Sequence, residues 1–313
     1  GTHPEYNSIN GSMATARLYH ARAHLETMVV RISEYVLQLV EFATRDAQTV
    51  MTGAMSNRYN GDDISILAED GANRIVMANT SADQFVVGQT ICIGTTKNGS
   101  NIATRAVITA IDVYDASSKA ISFDGPPLNI PLGAFISTRA WRNGATDIVK
   151  ASYGSPVSNS NGRYPCIWRG KVDPWAMAYS SISDVLIQRS GAGTVEDPYT
   201  YNAYQLEDPT LYNNGIIDEN WKKVDYNLSS SDGYVTQMGR DPKSPAVRMP
   251  TAVGGASTTY YASYYYYGRY AVSAVFVGGA WAGGRHCSPV FFYLGLAPSS
   301  SLVSLLARIF LSP

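Results

Sequence analysis

The chain has 313 residues, 45% of them apolar and 16% charged, with a formal net charge of −1. Those figures exclude a chain that is disordered throughout, because enough apolar side chains are present to build packed cores. They also exclude the strong basic footprint that a nucleic-acid partner leaves, and no apolar run approaches the ~20 residues that a membrane-spanning helix needs.

The length predicts two or three domains. The chain opens Gly-Thr-His-Pro rather than with Met, as expected of a processed chain or a fragment. Residues 1–60 are predicted to form a helical segment. No Gly or Pro interrupts Met13–Met51, and Leu25, Met28, Val29, Ile32, Val36, Leu39, Val40 and Ala43 recur at spacings of three and four, the mark of one apolar helical face. Ser12 is the expected cap and Gly53 the expected end. A helix over 13–55 is long for a globular protein, so it is either two helices or one that packs against copies of itself. His20 and His24 lie one turn apart on it, but no acidic third ligand follows at helical spacing, and solvated helix residues are the better reading.

Residues 61–145 change to short β-rich runs, namely 74–78, 85–93, 105–113 and 120–123, each bounded by Gly, Asn, Asp or Ser. Their alternation predicts a small β-barrel or sandwich. Gly88, Gly94 and Gly99 make no phosphate loop, since no helix follows and no Lys-Ser/Thr closes the motif. A connector rich in Gly, Ser and Asn covers 141–160. Residues 146–313 form the third domain, opening with a helix expected from Asp173-Pro174 to Gln188, with Asp173 as cap and Pro174 in the first turn. A loop-rich stretch follows it.

Cys92, Cys166 and Cys287 are widely separated. No CxxC pair or His/Cys cluster supports a zinc site, so the expectation is three buried or partly buried free thiols. Tyrosine stands out, with 22 residues against 8 Phe and 5 Trp. A rigid ring with a polar tip suits a surface that binds while staying soluble; half-exposed strand faces would also use it.

The tail is the most unusual segment. Residues 251–313 contain no Asp, Glu, Lys, Asn, Gln or Met, whereas charged types alone make up ~25% of an ordinary chain. Within it, Val277-Gly278-Gly279-Ala280-Trp281, Pro289-Val290-Phe291, Ala297-Pro298-Ser299-Ser300-Ser301 and Ala307-Arg308 occur in order. Upstream stand Gly162-Arg163-Tyr164-Pro165-Cys166-Ile167-Trp168-Arg169-Gly170 and Asp173-Pro174-Trp175. Over roughly 160–313 this arrangement resembles the variable proteins made by diversity-generating retroelements, whose C-type-lectin-like fold is related to that of formylglycine-generating enzymes. It departs from them at Ala176–Ser181, where family members more often carry Gly-Asn and further Trp, and at Cys287 and Ser288, where small residues are expected.

Added to the N-terminal long helix and the small all-β middle domain read above, the resemblance implies an α+β chain with a C-terminal C-type-lectin-like domain whose variable region lies at about 270–310. Adenine-directed mutagenesis of Asn-type codons yields Tyr, Ser, Ala, Gly, Arg, His, Leu and Phe, among others, but not Lys, Glu, Gln, Met or Trp. Ala280, Ala282, Gly283, Arg285, His286, Tyr293, Gly295, Leu296, Ser300, Leu302 and Ser304 all belong to the permitted set and are the implied ligand-binding positions. The process also permits Asn and Asp, whose absence it does not explain. Gly278, Gly279, Trp281, Pro289, Phe291, Pro298, Ala307 and Arg308 are the implied scaffold. The implied function is recognition of a host-surface protein or glycan by a phage tail or fibre protein, with a bacterial cell-surface location as the alternative. The implied assembly is a homo-oligomer, a trimer by analogy, together with other virion proteins. A purely structural virion protein carrying a lectin-like decoration domain is the rival reading.

No enzymatic activity, cofactor, metal, nucleic acid or membrane insertion is expected. Cysteine-based oxidation needs two thiols together or a metal, no Gly-x-Ser-x-Gly elbow occurs, and the tail has no carboxylates for calcium-dependent sugar binding. Glu219, Asp232 and Asp241 lie earlier and are candidates for a structural ion.

Overall fold

The computed structural model describes residues 8–50, 53, 58–141, 164–259, 261–302 and 304–311, with the backbone alone of Arg285. The protein is α+β, with an N-terminal helical region, a small β-rich middle and a curled C-terminal β-sheet. It divides into two compact units, Gly1–Val50 with Ala178–Pro313, and Met51–Met177. The N-terminal helical segment is therefore no separate domain from the C-terminal one.

Of the two expectations for this stretch, two helices are present, α1 (Ile9–Tyr19) and α2 (Met28–Phe42), separated by β1 (Ala23–Leu25) and followed by the short α3 (Ala47–Val50). Ser8, not Ser12, caps α1, accepting from the Gly11 N–H at 3.1 Å. His20 is already extended (φ −158°, ψ 136°), and β1 pairs antiparallel with the end of the chain, Leu25 opposite Ile309 and Ala23 opposite Leu311. Helix propensity is a weak prior that a tertiary strand partner overrides. α2 ends at Ala43 in the left-handed region (φ 52°). His20 is exposed and His24 is buried in β1, where it stacks on Phe310, so the two do not share a helix.

In the middle unit β2 (Glu69–Ala72), β3 (Arg74–Ala78), α4 (Asn79–Ala82), β4 (Thr90–Gly94), β5 (Ala103–Val113), β6 (Ser118–Phe123), β7 (Leu128–Ile130) and β8 (Phe135–Thr138) follow one another. A five-stranded sheet runs β3-β6-β5-β4-β8, with β2 and β7 paired beside it. Alternate inward residues, among them Ile75, Met77, Ile91, Ile93, Ile108, Ile121, Phe123 and Ile136, form its core. A hairpin of β9 (Ile167–Trp168) and β10 (Lys171–Val172) follows. Trp141 and Met177 pack with Val86, and Tyr164 and Ala140 join them. This packing puts 164–177 with the middle unit, so the boundary falls later than the one expected at 145–146. The expected connector at 141–160 lies, apart from Trp141, outside the described residues.

The remaining strands are β11 (Tyr179–Ser190), β12 (Thr200–Leu206), β13 (Trp221–Asn227), β14 (Gly233–Met238), β15 (Pro250–Gly255), β16 (Tyr264–Tyr266), β17 (Val272–Val277), β18 (Phe292–Tyr293), β19 (Leu305–Leu306) and β20 (Ile309–Leu311). All but β20 form a nine-stranded sheet in the order β13-β12-β11-β17-β18-β16-β14-β15, with β19 parallel to β11. The helix expected over Asp173–Gln188 is β11. Asp173 sits at φ 46°, not in the extended conformation of an N-cap. The strand is buried on both faces from Ser180 to Ile187, with Ser180, Ser181, Ser183 and Asp184 included, so no two-residue alternation marks it as a strand.

Each face of this sheet has its own core. On one, Met28, Ile32 and Tyr35 of α2 meet Ile182, Val185, Val235, Tyr265, Val275, Val277 and Phe292. On the other, Ile9 and Met13 of α1 and Leu25 meet Leu186, Leu206, Trp221, Ala274 and Phe276. Each large aliphatic so buried contributes roughly 1.5–3 kcal/mol. A bulge in β11 between Ile182 and Leu186 places buried Asp184 at the start of α2, where its Oδ1 accepts from the Met28 N–H at 2.8 Å. Burial pushes this carboxyl up to about 7, against the pull of the Met28 N–H and with a smaller push from Glu26. Nearby, buried Arg31 bridges Glu26 and Glu34, each at 3.1 Å.

Candidate functional site

The site is built on β14, β16 and β18. Register places Tyr234 opposite Tyr264, Tyr265 beside Phe292 and Tyr266 beside Tyr293. Side chains alternate along a strand. Tyr265 therefore points into the α2-side core, fully buried, with its hydroxyl donating to the Ser229 carbonyl at 2.9 Å. Tyr264 and Tyr266 point the other way and are half-buried.

On that open face the aromatic rings form one tract. Tyr179 stacks on Tyr293 at 5.2 Å and 18°, Tyr293 meets Tyr266 at 5.4 Å, and Tyr266 meets Tyr264 at 4.7 Å. Tyr264 stacks on the His286 imidazole at 4.4 Å and 21°, and Tyr234 closes edge-on against both Tyr264 and His286. Buried Phe291 lies under Tyr179 and Tyr266. All six tract residues are half-buried. Among the described residues, the hydroxyls of Tyr234, Tyr264, Tyr266 and Tyr293 have no hydrogen-bond partner, nor are they among the fully buried unsatisfied atoms. Two other tyrosines differ: Tyr212 donates to Asn10 Oδ1 and Tyr226 to the Val247 carbonyl.

Burial raises the phenols of Tyr266 and Tyr293 further above the physiological range, and burial lowers His286, favouring its uncharged ring. The nearby Asp232 carboxylate accepts from the Tyr267 N–H and from Arg269 Nη2, both at 2.9 Å.

The turn carrying His286 is held by a buried thiol. Gly278 and Gly279 take φ of 86° and 77°, and a Cβ on Gly279 or Gly283 would overlap the Cys287 Sγ. The Cys287 thiol donates to the Ala280 carbonyl at 3.3 Å, and burial pushes its pKa up to about 12. It is a packing residue rather than a reactive one. Cys92 and Cys166 are also free and buried. Ser288 Oγ lies 2.6 Å from Ser263 Oγ and ties the turn to the start of β16.

The eleven implied contact positions therefore separate. His286 and Tyr293 belong to the tract, joined through Tyr264 and Tyr266. Gly295 leaves room for the Tyr293 hydroxyl, since a Cβ there would sit 3.0 Å from it. Ala282 and Leu302 are exposed, the latter at 39%, on separate loops. Ala280 is only 4% exposed and its carbonyl also accepts from the Gly283 N–H at 2.8 Å, so Ala280 and Gly283 are parts of the turn and not outward contacts. Leu296 packs on the α1-side core. Ser300 Oγ accepts from the Ala297 N–H at 3.2 Å, and the Ser304 carbonyl from the Tyr179 N–H at 2.8 Å; both hold loops. The Arg285 side chain lies outside the described residues. Of the implied scaffold, Trp281, Pro289, Phe291 and Pro298 are buried.

Tyr179, Tyr234, Tyr264 and Tyr266 were not among the sequence candidates. The excess of tyrosine was their only signal. As for ions, Asp241 accepts from the Asp225 and Lys243 N–H groups, Glu219 is exposed, and among the described residues no three His, Cys, Asp or Glu side chains gather as a metal site. No family model, curated protein or solved structure matches this chain.

Proposed function

We propose that this chain is a receptor-binding protein whose C-terminal sheet recognises a molecule on a host cell surface. The observation that carries this reading is the continuous ring tract with four hydroxyls that have no partner among the described residues. Tyrosine on a rigid scaffold supplies contact area at low entropic cost, and half-exposed aromatics are typical interface anchors. On the reading suggested by the tail motifs, the domain is C-type-lectin-like, part of a phage tail or fibre homo-oligomer, and diversified by a retroelement. Exchange then falls on Ala282, Arg285, His286, Tyr293 and Leu302, with Ala280 and Gly283 held constant by the turn around Cys287.

Two measurements test it. Labelled full-length protein is applied to a panel of bacterial strains and read by flow cytometry. The wild type is expected to label at least one strain, and the Tyr264→Ala/Tyr266→Ala variant to lose about tenfold or more of that binding. Equal labelling by both, or none by either, would sink the tract as a recognition surface and leave the purely structural virion protein. Diversification is tested in the neighbouring DNA: a reverse transcriptase gene and an imperfect copy of the segment encoding 270–310, mismatched only at adenines, are expected.

A further inference from the structure

We infer that the partner of the tyrosine tract is an uncharged protein surface offering backbone or amide hydrogen-bonding groups, and not a glycan; this rests on the proposed recognition role. The argument begins with what the rings present. A sugar is held by aromatic residues when its apolar C–H face lies flat on an open ring. Here the flat faces are turned to one another. Tyr179 is stacked with both Tyr293 and Phe291, at 18° and 25°. Tyr264 is stacked with His286 at 21°, while Tyr234 stands edge-on to Tyr264 at 82°. Tyr266 is pinned among Tyr264, Tyr293 and Phe291. What remains for a partner is ring edge and phenolic hydroxyl.

Four hydroxyls in a row, on Tyr234, Tyr264, Tyr266 and Tyr293, each donate one hydrogen bond and accept others. Carbonyl and amide groups of a polypeptide match that set, and ring edges pack against aliphatic side chains. Charge decides the rest. Among the described residues the tract carries no carboxylate, lysine or arginine, and the neighbouring carboxylate of Asp232 is already held by Arg269 and the Tyr267 N–H. Burying a partner's charge against it would leave that charge uncompensated, so the complementary surface is neutral.

The test uses the full chain, a random linear-peptide library displayed on phage and a printed glycan panel. The comparison variant carries Tyr→Phe at 234, 264, 266 and 293, which keeps every ring and removes every hydroxyl. Because those hydroxyls have no internal partner, its melting temperature is expected to match the wild type within a degree or two. The wild type is expected to enrich peptides with an uncharged consensus, whose affinity falls about tenfold or more in the Tyr→Phe variant and changes by less than about twofold between low and high salt. Glycan binding that the variant retains would overturn the protein assignment while leaving a recognition role. A charged consensus, or peptide affinity unchanged by the loss of the hydroxyls, would also overturn it. Binding to neither panel would overturn both this inference and the function on which it rests.

Discussion

Tyr265 and its two neighbours, Tyr264 and Tyr266, share one short strand and have opposite fates. On the α2 side of the sheet, Tyr265 is enclosed and its hydroxyl is tied to Ser229. On the other side, Tyr264 and Tyr266 lean on one another with hydroxyls that the fold does not use. The difference teaches that one short strand can place the same residue type in the core, where the polar tip of Tyr265 finds an internal acceptor, and on an accessible face, where the tips of Tyr264 and Tyr266 stay open to a partner.

The largest effect separating the two faces is expected from Phe292, fully buried against α2 and adjacent to Tyr293. Phe292→Ala should lower stability by about 3–5 kcal/mol, whereas Tyr264→Ala should cost about 1 kcal/mol or less. Urea denaturation followed by tyrosine and tryptophan fluorescence reads both. Equal losses would show that the open face is as much a core as the closed one.

Next comes Asp184, under the start of α2. Its folded carboxyl is raised to about 7 from an ordinary 3.8, so the folded state holds a proton that the unfolded state releases. The associated stability is present in full below about pH 4 and is lost as pH rises through about 7. With roughly 1.4 kcal/mol per unit, the change is on the order of 4 kcal/mol. Thermal melts at pH 5 and pH 8 should show the higher stability at the lower pH, with Asp184→Asn removing most of the difference. A wild type that gains stability toward pH 8 would contradict the burial of an uncharged acid there.

A smaller effect sharpens the distinction within the tail itself. Gly283→Ala presses a methyl against Cys287 and should cost about 1–3 kcal/mol, while replacing exposed Ala282 with Ser or Tyr should change stability by less than about 0.5 kcal/mol. Cys287→Ala in the Gly283→Ala background should recover part of the loss, a coupling that a double-mutant cycle measures. Additive losses would remove the contact from the account.

These contrasts explain what could be read beforehand. The strands of the middle unit were legible as short β-rich runs bounded by Gly, Asn, Asp or Ser, and Arg74–Ala78 lies where such a run put it. The length of the stretch hinted at a break between α1 and α2 but not at its place, since His20–Thr27 holds no Gly or Pro and is bent by pairing with Ile309–Leu311, far away in the chain. β11 resembled a helix because both of its faces are buried. In the site, His286 and Tyr293 emerged from the tail motifs. Their partners Tyr179, Tyr234, Tyr264 and Tyr266 depend on the pairing of β14, β16 and β18, which local pattern does not encode. Gly283 looked exchangeable because it belongs to the permitted set, and the structure shows that a Cβ there would overlap the Cys287 thiol.

The pairing of Ala23–Leu25 with Ile309–Leu311 also sets a timetable for synthesis. The ribosome releases the first partner almost three hundred residues before the second, and the stretch Met51–Met177 forms a compact unit of its own. That middle unit can fold during translation, while α1, β1 and α2 wait with their apolar sides uncovered until the last strands emerge. The nascent chain thus passes through an interval in which those apolar sides are open to aggregation.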